Sequence, residues 1–402
     1  MTSSDLQIQP ISEALRGLRL DVIVSGSIGA VEAVRFIRAL RRLGAEVYPV
    51  LTEGGAMFTT ETALSWAAAR PTVTGFSATA SHIFEGDACI VAPASASMIA
   101  KTAHGITDTP ASALIASCLG LEKPVFLVPN MHDSLSASPA VRENLDKIRV
   151  RVRILDARRE EGKHKFPDPV RLADEIAHQI NLTRQSAHKP LPPVMVSMGT
   201  TRGYVDDVRY FSNYSSGALG SMVSEEIYRR GIPTTVVCGP CQIKPAVFSK
   251  LIDIETNGEL LEACRKAVQE DHCAGAVLAA SVLDFIPDKK ITGKIKSDQD
   301  LQVNFIKSSK IIAEINPPVK VGFKLEANLD EQKALSIAKD YFSRYQLSLM
   351  ILNQLSDVDS TRHKAFTFEN SPDNFDPQLT GLLDGKRSIA KAIAKHIQER
   401  IS

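Results

Sequence analysis

VMVSMGTTRGYVDDVRYFSNYSSGALG, residues 194–220, carries the strongest structural signal in this chain. Three apolar residues at its start are typical of a buried parallel strand, and a long loop rich in Gly, Thr and Asp follows. The end of the segment predicts a helix whose first turn holds residues 215–217. Backbone N–H groups at such a helix start can bind a phosphate group, and Arg209 and Asn213 lie in the loop just before it. The spacing alone fits either an anion site or an ordinary solvated loop, since both occur in doubly wound folds.

Length, composition and charge are those of an ordinary globular protein. The 402 residues are enough for two or three domains, and 44% hydrophobic and 23% charged residues are typical of such domains. The 47 Lys and Arg residues balance 46 Asp and Glu residues, so we expect no nucleic-acid partner and no acidic membrane surface. No apolar run approaches the roughly 20 residues of a membrane span, and the N-terminus lacks a secretory signal. We therefore expect a cytoplasmic protein.

Short apolar runs alternate with amphipathic helical patterns in both halves of the chain. This alternation predicts an α/β fold of two Rossmann-like doubly wound domains, each with a parallel sheet covered on both faces. The polar, proline-rich stretch TRQSAHKPLPP separates them as a linker. The predicted boundaries are 16–182 for the first domain, 183–193 for the linker and 194–402 for the second domain.

The apolar runs and helical patterns also predict individual elements. Strands are predicted at 20–26, 46–52, 88–94, 124–130, 152–155, 194–198, 234–239, 275–281, 319–324 and 347–353. Helices are predicted at 30–43, 170–182, 215–230, 258–270, 330–345 and 386–401. The last helix is basic and amphipathic, and we expect it to pack on its own domain rather than on a membrane.

Six cysteines in a chain of this length indicate free thiols, most of them buried. Two of them form the motif Cys238-Gly-Pro-Cys241, which carries redox chemistry in some proteins where it begins a helix. Here the motif follows a strand and runs into Gln-Ile-Lys-Pro, a poor helix start. The sequence therefore favours a turn at the end of a strand over a redox site.

Five segments of the second half resemble, in order, the phosphopantothenate–cysteine ligases of coenzyme A synthesis. They are DDVRYFSNYSSG in the segment quoted above, AASVLDF at 279–285, GKIKS at 293–297, VGFKLEAN at 321–328 and MILN ending at Asn353. The resemblance implies that a nucleoside triphosphate activates the carboxylate of 4′-phosphopantothenate as an acyl-nucleotide, which cysteine then attacks. Charge develops on phosphorus in such a step and requires cations and N–H donors already in place.

The ligase resemblance also implies roles for single residues. Asn213 would hold the acyl-nucleotide, Arg209 would assist its turnover by cysteine, and Lys294 would be a catalytic cation. The residues implied in binding substrate or nucleotide are Ser215, Ser216, Gly217, Ala280, Asp284, Lys296, Lys310, Phe323 and Asn353. Without the resemblance, the lysines of GKIKS would be interpreted as a solvated charge run.

CTP is the nucleotide that we expect, because the two halves together resemble the fused bacterial enzymes of this pathway. ATP stays an alternative, since Tyr341 and Tyr345 stand where bacterial CTP-using ligases usually carry lysines. Mg²⁺ is implied by any such triphosphate reaction, although no metal-binding residues are predicted.

Two small-residue turns in the first half follow strands and begin helices. They are SGSIGA at 25–30 and APASAS at 92–97, and both lie at carboxyl ends of parallel strands, where open α/β sheets bind ligands. Neither is a GxGxxG, so each signal is weak alone. His82 is a candidate for proton chemistry, although a lone histidine is more often structural.

Over residues 18–180 the chain resembles the flavin-dependent decarboxylases that act on cysteine thiols, including phosphopantothenoylcysteine decarboxylase. The matching segments are GSIGA at 26–30, LTEGGAMF at 51–58, SHI at 81–83, APASASMIAKTAHGITD at 92–108 and VPNMHDSL at 128–135. The resemblance implies His82 as the catalytic histidine and His132 as a substrate-binding residue. The residues that it implies for FMN are Gly26, Ser27, Thr52, Ser95 and Ser97. Members of the family commonly have Asn at the positions of Ser97 and His132.

The segment LDARREEGKHKFPD, 155–168, departs from the decarboxylase pattern because it holds no cysteine. Many relatives carry a cysteine there that protonates the intermediate after the loss of CO₂. Lys163, His164 or Lys165 would have to replace it.

Three functions therefore stay open. The leading hypothesis is a bifunctional enzyme that converts 4′-phosphopantothenate and cysteine to 4′-phosphopantetheine. The alternatives are a ligase whose FMN domain no longer decarboxylates and a regulatory flavoprotein, which need not keep the ligase signature. The trimeric flavin domains and dimeric ligase domains of these families further imply a homo-oligomer such as a dodecamer.

Overall fold

The computed structural model of the chain describes residues 4–78, 80, 82–155, 158–160, 163–186, 190–298, 300–358, 363–371 and 374–402. The chain divides into two compact units, Met1–Asn181 and Leu182–Ser402. No helix of the described residues is long and apolar enough to cross a bilayer.

The first unit contains a five-stranded sheet in which all strands are parallel. Its strands occur in the order β2-β1-β3-β4-β5, one of the two common doubly wound orders. The strand order reverses between β1 and β3, and ligands bind in such sheets outside the carboxyl ends of the strands at that point. The strands are β1 (Arg19–Val24), β2 (Glu46–Leu51), β3 (Ala88–Ala94), β4 (Val125–Pro129) and β5 (Arg153–Ile154).

Helices cover both faces of this sheet and enclose two apolar clusters. Side chains of β1 alternate between the clusters, with Leu20 and Val22 in one and Ile23 in the other, as the two-residue period of a strand requires. Two further strands, β6 (Arg158–Glu160) and β7 (Lys163–Lys165), form a small antiparallel hairpin. The helices are α1 (Ala33–Arg42), α2 (Glu53–Ala56), α3 (Glu61–Ala68), α4 (Ala96–His104), α5 (Pro110–Gly120), α6 (Asp133–Ser136), α7 (Pro139–Ile148) and α8 (Pro169–Ser186), with 3-10 helices at Ser4–Leu6 and Ile28–Glu32.

The second unit contains an eight-stranded sheet in which six parallel strands are extended by two antiparallel strands. Its strands occur in the order β12-β11-β8-β13-β16-β17-β18-β19, and the six parallel strands follow the doubly wound order 3-2-1-4-5-6. The order reverses between β8 and β13. The strands of the sheet are β8 (Val194–Met198), β11 (Thr234–Cys238), β12 (Lys250–Asp253), β13 (Gly275–Leu278), β16 (Val319–Glu326), β17 (Leu349–Val358), β18 (His363–Ser371) and β19 (Asn374–Asp384).

Two short hairpins and five helices complete the second unit. The hairpins pair β9 (Arg202–Tyr204) with β10 (Tyr210–Ser212) and β14 (Phe285–Pro287) with β15 (Phe305–Lys307). Helices α9 and α13 pack together on one face of the sheet, while α10 covers the other face. The helices are α9 (Ala218–Arg229), α10 (Asn257–Gln269), α11 (Ile311–Glu314), α12 (Glu331–Tyr345) and α13 (Lys386–Ile401).

The structure confirms the two doubly wound sheets and differs from the sequence prediction in several local features; strand β12 and helices α3, α5 and α7, for example, were not predicted. The predicted helix 215–230 begins only at Ala218, because Gly217 before it has a φ of +80° and so cannot lie in an α-helical turn. Helix α8 continues to Ser186, so the first four residues of the predicted linker are helical. The antiparallel strands β18 and β19 were not predicted.

Candidate active sites

In the first unit, the loops that follow β1 and β3 are joined by one serine. The Ser25 hydroxyl donates to the Pro93 carbonyl at 2.8 Å and accepts a hydrogen bond from the Ser95 N–H at 2.8 Å. Ser25 itself is buried. The two small-residue turns predicted from sequence therefore meet at the carboxyl edge of the sheet, where its strand order reverses.

Asn130, directly after β4, ties a third loop into this cluster and was not singled out from sequence. Its backbone carbonyl accepts a 2.8 Å hydrogen bond from the Ser27 hydroxyl, and its Oδ1 accepts from the Gly29 N–H at 3.0 Å. The loop after β2 also approaches closely, since a Cβ on Gly26 would lie 3.1 Å from the backbone of Gly54. The sequence signals for Asn130 were its position at the end of a predicted strand and its place in the matching segment VPNMHDSL.

Three predicted FMN residues lie at helix starts around this edge. Thr52 and Ser95 are N-caps, and their hydroxyls accept hydrogen bonds from Gly55 N–H at 3.1 Å and from Met98 N–H at 3.3 Å. Ser97 lies exposed in the first turn of α4. The hydroxyls of Thr52 and Ser95 thus orient the loops, while the Ser97 side chain is open to solvent.

The donor set and the surrounding surface fit a nucleotide-like flavin. Hydroxyl and backbone N–H groups at helix starts suit a phosphate group. Large apolar side chains stand exposed beside them: Ile28 is 65% exposed and Met57 is 82% exposed. Such side chains could cover a flat aromatic ring system.

The two predicted histidines of this unit are not joined to the cluster by any described hydrogen bond. The ring of His82 meets Phe76 edge-on at 5.1 Å, and its Nδ1 is buried without a partner in the described part of the chain. His132 is exposed and caps α6 through its Nδ1, which accepts from Ser134 N–H at 3.2 Å. Of the three candidate proton donors, the side chains of Lys163 and His164 lie outside the described ones.

In the second unit, Asp206 joins two of the predicted motifs. Its carboxylate accepts hydrogen bonds from the backbone N–H groups of Val208 at 2.8 Å, Arg209 at 2.6 Å and Ile295 at 3.0 Å, and from the Arg209 guanidinium at 2.5 Å. Burial opposes ionisation of this carboxyl, but the four hydrogen bonds outweigh it and hold the pKa of Asp206 well below its usual range. The loop GKIKS is therefore fixed against the loop that carries Arg209. Sequence reasoning did not single out Asp206.

Asn213 and Arg209 take their positions from backbone carbonyls of other motifs. The Asn213 side-chain amide donates to the Val282 carbonyl at 3.0 Å, just beyond β13, and the Arg209 guanidinium donates to the Ile295 carbonyl at 3.2 Å. The Ser212 hydroxyl donates to the Thr201 carbonyl at 2.8 Å, which links the same loop to the end of β8. The predicted catalytic pair thus lies where the strand order reverses.

The backbone around Ser215, Ser216 and Gly217 differs from the predicted first helical turn. The two serines precede the helix, and their hydroxyls accept from Gly217 N–H at 3.3 Å and from Ala218 N–H at 3.4 Å. These side chains therefore occupy two of the N–H groups that were expected to face an anion. Gly217 is the N-cap of α9.

The predicted lysines fall into two classes. Lys294 and Lys296 are exposed and form no hydrogen bond or ion pair with the residues that the structure describes. Lys310 instead pairs with Asp284, its Nζ lying 2.6 Å from Oδ1, and it precedes α11. Two uncompensated cations on a fixed loop can bind a polyphosphate.

A second charged cluster lies near the carboxyl end of β16. Lys324 pairs with Glu326 at 3.0 Å. Burial lowers the pKa of Lys324, but Glu326 together with Tyr341 and Asp284 raises it above its usual value. Burial raises the pKa of Tyr341, whose ring meets Tyr345 edge-on at 5.1 Å. The two tyrosines thus stand beside a lysine supplied by the strand, which sequence reasoning missed.

Of the remaining predicted residues, Ala280 and Phe323 contribute apolar surface, and Asn353 contributes a buried polar atom. Ala280 and Phe323 are partly buried, and each packs against a different apolar cluster of this unit. Asn353 is 8% exposed, and its Oδ1 has no hydrogen-bond partner in the described part of the chain. A buried amide oxygen without a partner is unusual and fits a site completed by a ligand. Within the described ranges, no group of three His, Cys, Asp or Glu residues could hold a metal ion.

Comparisons with known proteins match both units. Residues 192–401 match the family model described as DNA/pantothenate metabolism flavoprotein C-terminal domain, and residues 8–181 match the flavoprotein family. The coenzyme A biosynthesis bifunctional protein CoaBC of Thermococcus kodakarensis is 31% identical over 402 residues, covering 97% of each chain. Its Escherichia coli K12 counterpart is 28% identical and covers 85% of this chain and 87% of its own. A solved DNA/pantothenate metabolism flavoprotein from Streptococcus pneumoniae is 22% identical, covers 52% of this chain and 99% of its own, and has a TM-score of 0.45.

Proposed function

Because this chain belongs to the family of coenzyme A biosynthesis bifunctional proteins, with ligase and decarboxylase activities, we propose how its residues divide the two reactions. Residues 194–402 ligate 4′-phosphopantothenate to cysteine. Residues 16–182 decarboxylate the product to 4′-phosphopantetheine, and 183–193 connect them.

The ligase proposal rests on the hydrogen bonds that Asp206 accepts from two loops. Asp206 holds Arg209 and the loop of Lys294 together, so two cationic groups stand on one rigid frame. In our proposal Lys294 and Lys296 bind the triphosphate and stabilise the charge that develops as pyrophosphate leaves. Asn213 holds the acyl-nucleotide and Arg209 assists the attack of cysteine. Cations that are already in position need no reorganisation energy at the moment of reaction. The fixed backbone of the GKIKS loop therefore favours catalysis.

The nucleotide pocket, in this proposal, is formed by residues of the neighbouring strand ends. Phe323 and Ala280 contact the base, and Asn353, whose Oδ1 has no partner among the described residues, hydrogen-bonds to it. Lys310 and Asp284 border the phosphates, as do Ser215, Ser216 and Gly217. We propose CTP as the nucleotide, with ATP as the alternative that the tyrosines of α12 leave open. Mg²⁺ would arrive bound to the triphosphate, whose charge it neutralises.

In the first unit we propose that FMN binds at the edge formed by Gly26, Ser27, Thr52, Ser95 and Ser97. FMN, when bound, supplies the hydride acceptor and donor that decarboxylation of a cysteine derivative needs. The protein's own residues position it: Asn130 fixes Ser27 and the backbone of Gly29, and Ser25 fixes the loop of Ser95. His132 and His82 would contact substrate, with His82 as the catalytic histidine. A homo-oligomer is part of the same proposal.

Nucleotide-dependent pyrophosphate release tests the ligase assignment directly. The full protein is given 4′-phosphopantothenate, cysteine, Mg²⁺ and either CTP or ATP, and pyrophosphate is measured with each component omitted in turn. We expect release that requires 4′-phosphopantothenate and is faster with CTP. Pyrophosphate release at the same rate without 4′-phosphopantothenate would contradict the acyl-nucleotide step.

A further inference from the structure

The turn after β11 brings two thiols into contact. The Sγ atoms of Cys238 and Cys241 lie 3.7 Å apart. Cys238 is buried, whereas Cys241 is partly exposed. A disulfide bond is about 2 Å long, so the two sulfur atoms would have to move closer together by a little less than 2 Å.

The same turn is hydrogen-bonded to both sides of the ligase site. The Pro240 carbonyl accepts from the Thr200 N–H at 3.1 Å and from the Thr200 hydroxyl at 2.9 Å, which ties the turn to the loop after β8. Ile243 N–H donates to the Ser216 carbonyl at 3.0 Å, directly before α9. The turn therefore contacts both ends of the connection between β8 and α9, which carries Arg209, Asn213, Ser215 and Ser216.

Cys241 itself packs against the start of α9. A Cβ placed on Gly217 would lie 2.8 Å from the Cys241 Cβ and 3.0 Å from its Sγ, so there is no free space between them. Both thiols also donate to carbonyls of the turn, Cys238 to Gly239 and Cys241 to Ile243, each at 3.4 Å. Oxidation would remove both donors and require Cys241 to move within this tight packing.

The environment of the pair differs from that of a redox catalyst. Burial raises the pKa of Cys238 to about 12, so the fold does not stabilise its thiolate. A disulfide is a strong oxidant when the protein stabilises the reduced thiolate, which a low thiol pKa indicates. The raised pKa of Cys238 shows that this stabilisation is missing here. The disulfide would therefore form slowly and, once formed, would persist until a reductant accumulates.

We propose that Cys238 and Cys241 form a reversible disulfide by exchange with a low-molecular-weight disulfide and that this disulfide inhibits the ligase site. The thiolate of Cys241 attacks the small disulfide, forms a mixed disulfide and releases one small thiol. The Cys238 sulfur then attacks Cys241, forms the protein disulfide and releases the second small thiol. Two protein thiols are oxidised, one disulfide is reduced, and the two protons pass to the released thiols.

The chemistry of the small disulfide follows from the proposed ligation, on which this part of the inference rests. That ligation consumes cysteine, and cystine is the disulfide of cysteine. A rising ratio of cystine to cysteine would both oxidise the pair and report that the thiol substrate is depleted. Inhibition of the ligase would then match activity to the supply of usable substrate.

Cystine treatment of the full protein tests this inference. Reduced, desalted protein is incubated with increasing ratios of cystine to cysteine, and disulfides are mapped by mass spectrometry after alkylation of free thiols. Pyrophosphate release is measured in parallel before and after addition of dithiothreitol. Cys241→Ser is the test variant, and Cys264→Ala, which removes a buried thiol from α10, is the matched control.

We expect a Cys238–Cys241 disulfide, a fall of at least tenfold in ligase rate and recovery with dithiothreitol. The Cys241→Ser protein should keep its own reduced rate throughout, while the Cys264→Ala protein should respond like the unmodified chain. Absence of the disulfide, or a disulfide that leaves the rate unchanged, would overturn the inference. If the reduced protein releases no pyrophosphate, the proposed ligation fails instead. The disulfide map and its reversal then still decide whether the pair is oxidisable.

Discussion

The carboxylate of Asp206 accepts a 3.0 Å hydrogen bond from the backbone N–H of Ile295, although 89 residues separate the two. This bond, together with those from Arg209, makes one frame of the loop that carries Asn213 and the loop that carries Lys294. The ligase account depends on that frame, because cations stabilise a developing charge only where they are held in place beforehand.

Replacement of Asp206 by Asn should cost most of the ligase activity. In the native protein the carboxylate accepts hydrogen bonds from the Arg209 guanidinium and the Ile295 N–H. The NH₂ group of an asparagine cannot accept them, so the GKIKS loop should detach. We expect kcat/KM for ligation to fall by roughly 100-fold, measured by pyrophosphate release. Flavin content should stay unchanged, which separates a local effect from misfolding.

The matched control for that change is Asp271→Asn. Asp271 follows α10 and pairs with the exposed Lys250, whose Nζ lies 2.6 Å from the Asp271 Oδ2. Surface pairs of this kind contribute little, so we expect less than about a fivefold change. Equal losses in the two variants would contradict the role given to Asp206.

Lys294→Gln should slow ligation without weakening the fold. The side chain is exposed and makes no described ion pair, so its loss leaves no buried group unsatisfied. Removing one preorganised donor to a developing charge costs about 100-fold or more in kcat. Lys289→Gln, a neighbouring exposed lysine, should change kcat less than twofold. An unaffected Lys294→Gln enzyme would assign this lysine to a solvated surface.

Asn130→Ala should weaken flavin binding, because it frees the Gly29 N–H and removes an acceptor from the Ser27 hydroxyl. Loss of such hydrogen bonds should raise the Kd for FMN by about tenfold, measured by fluorescence titration of the flavin-free protein. Asn144→Ala, which removes an exposed contact to His104, serves as control. If both variants bind FMN as tightly as the unmodified chain, the assigned cradle is wrong.

Asp21 makes the stability of the first unit depend on pH. Burial raises the pKa of this carboxyl to about 6, and the nearby Arg19 offsets only part of that effect. A carboxyl whose folded pKa exceeds its unfolded value stabilises the fold below the unfolded value, and this stability is lost as pH rises through 6. A shift of this size corresponds to at most about 3 kcal/mol.

Asp21→Asn should therefore raise Tm most above pH 6, and the increase should shrink steadily as pH falls toward 4, when thermal unfolding is followed across that range. The exposed Asp146→Asn should leave the pH profile unchanged. A Tm difference between Asp21→Asn and the unmodified chain that does not vary with pH would contradict a buried, titrating Asp21.

The strands and helices could be predicted from sequence because their signals are local. An apolar run such as that of β8 needs only its own residues to be recognised. The start of α9 was wrong by three residues, because the left-handed conformation of Gly217 is set by its neighbours in space. Likewise, the sequence Asp206-Asp207 does not reveal which carboxylate is buried, since that depends on the distant Ile295 loop.

The residues that complete each site depend on sheet order, which the sequence pattern does not specify. Asn130 reaches Ser27 because β4 lies two strands from β1, an arrangement that no local period encodes. Lys324 likewise stands beside Tyr341 only through the packing of α12. The motifs located the sites, and the tertiary contacts supplied their supporting residues.

Product analysis by mass spectrometry tests the central claim, that one chain carries both reactions. The purified protein, loaded with FMN, is given 4′-phosphopantothenate, cysteine, Mg²⁺ and CTP or ATP. The account predicts 4′-phosphopantetheine together with CO₂, although residues 155–168 lack the cysteine that many relatives carry there. Accumulation that stops at 4′-phosphopantothenoylcysteine would contradict the decarboxylase half, and no cysteine-containing product with either nucleotide would contradict the ligase half.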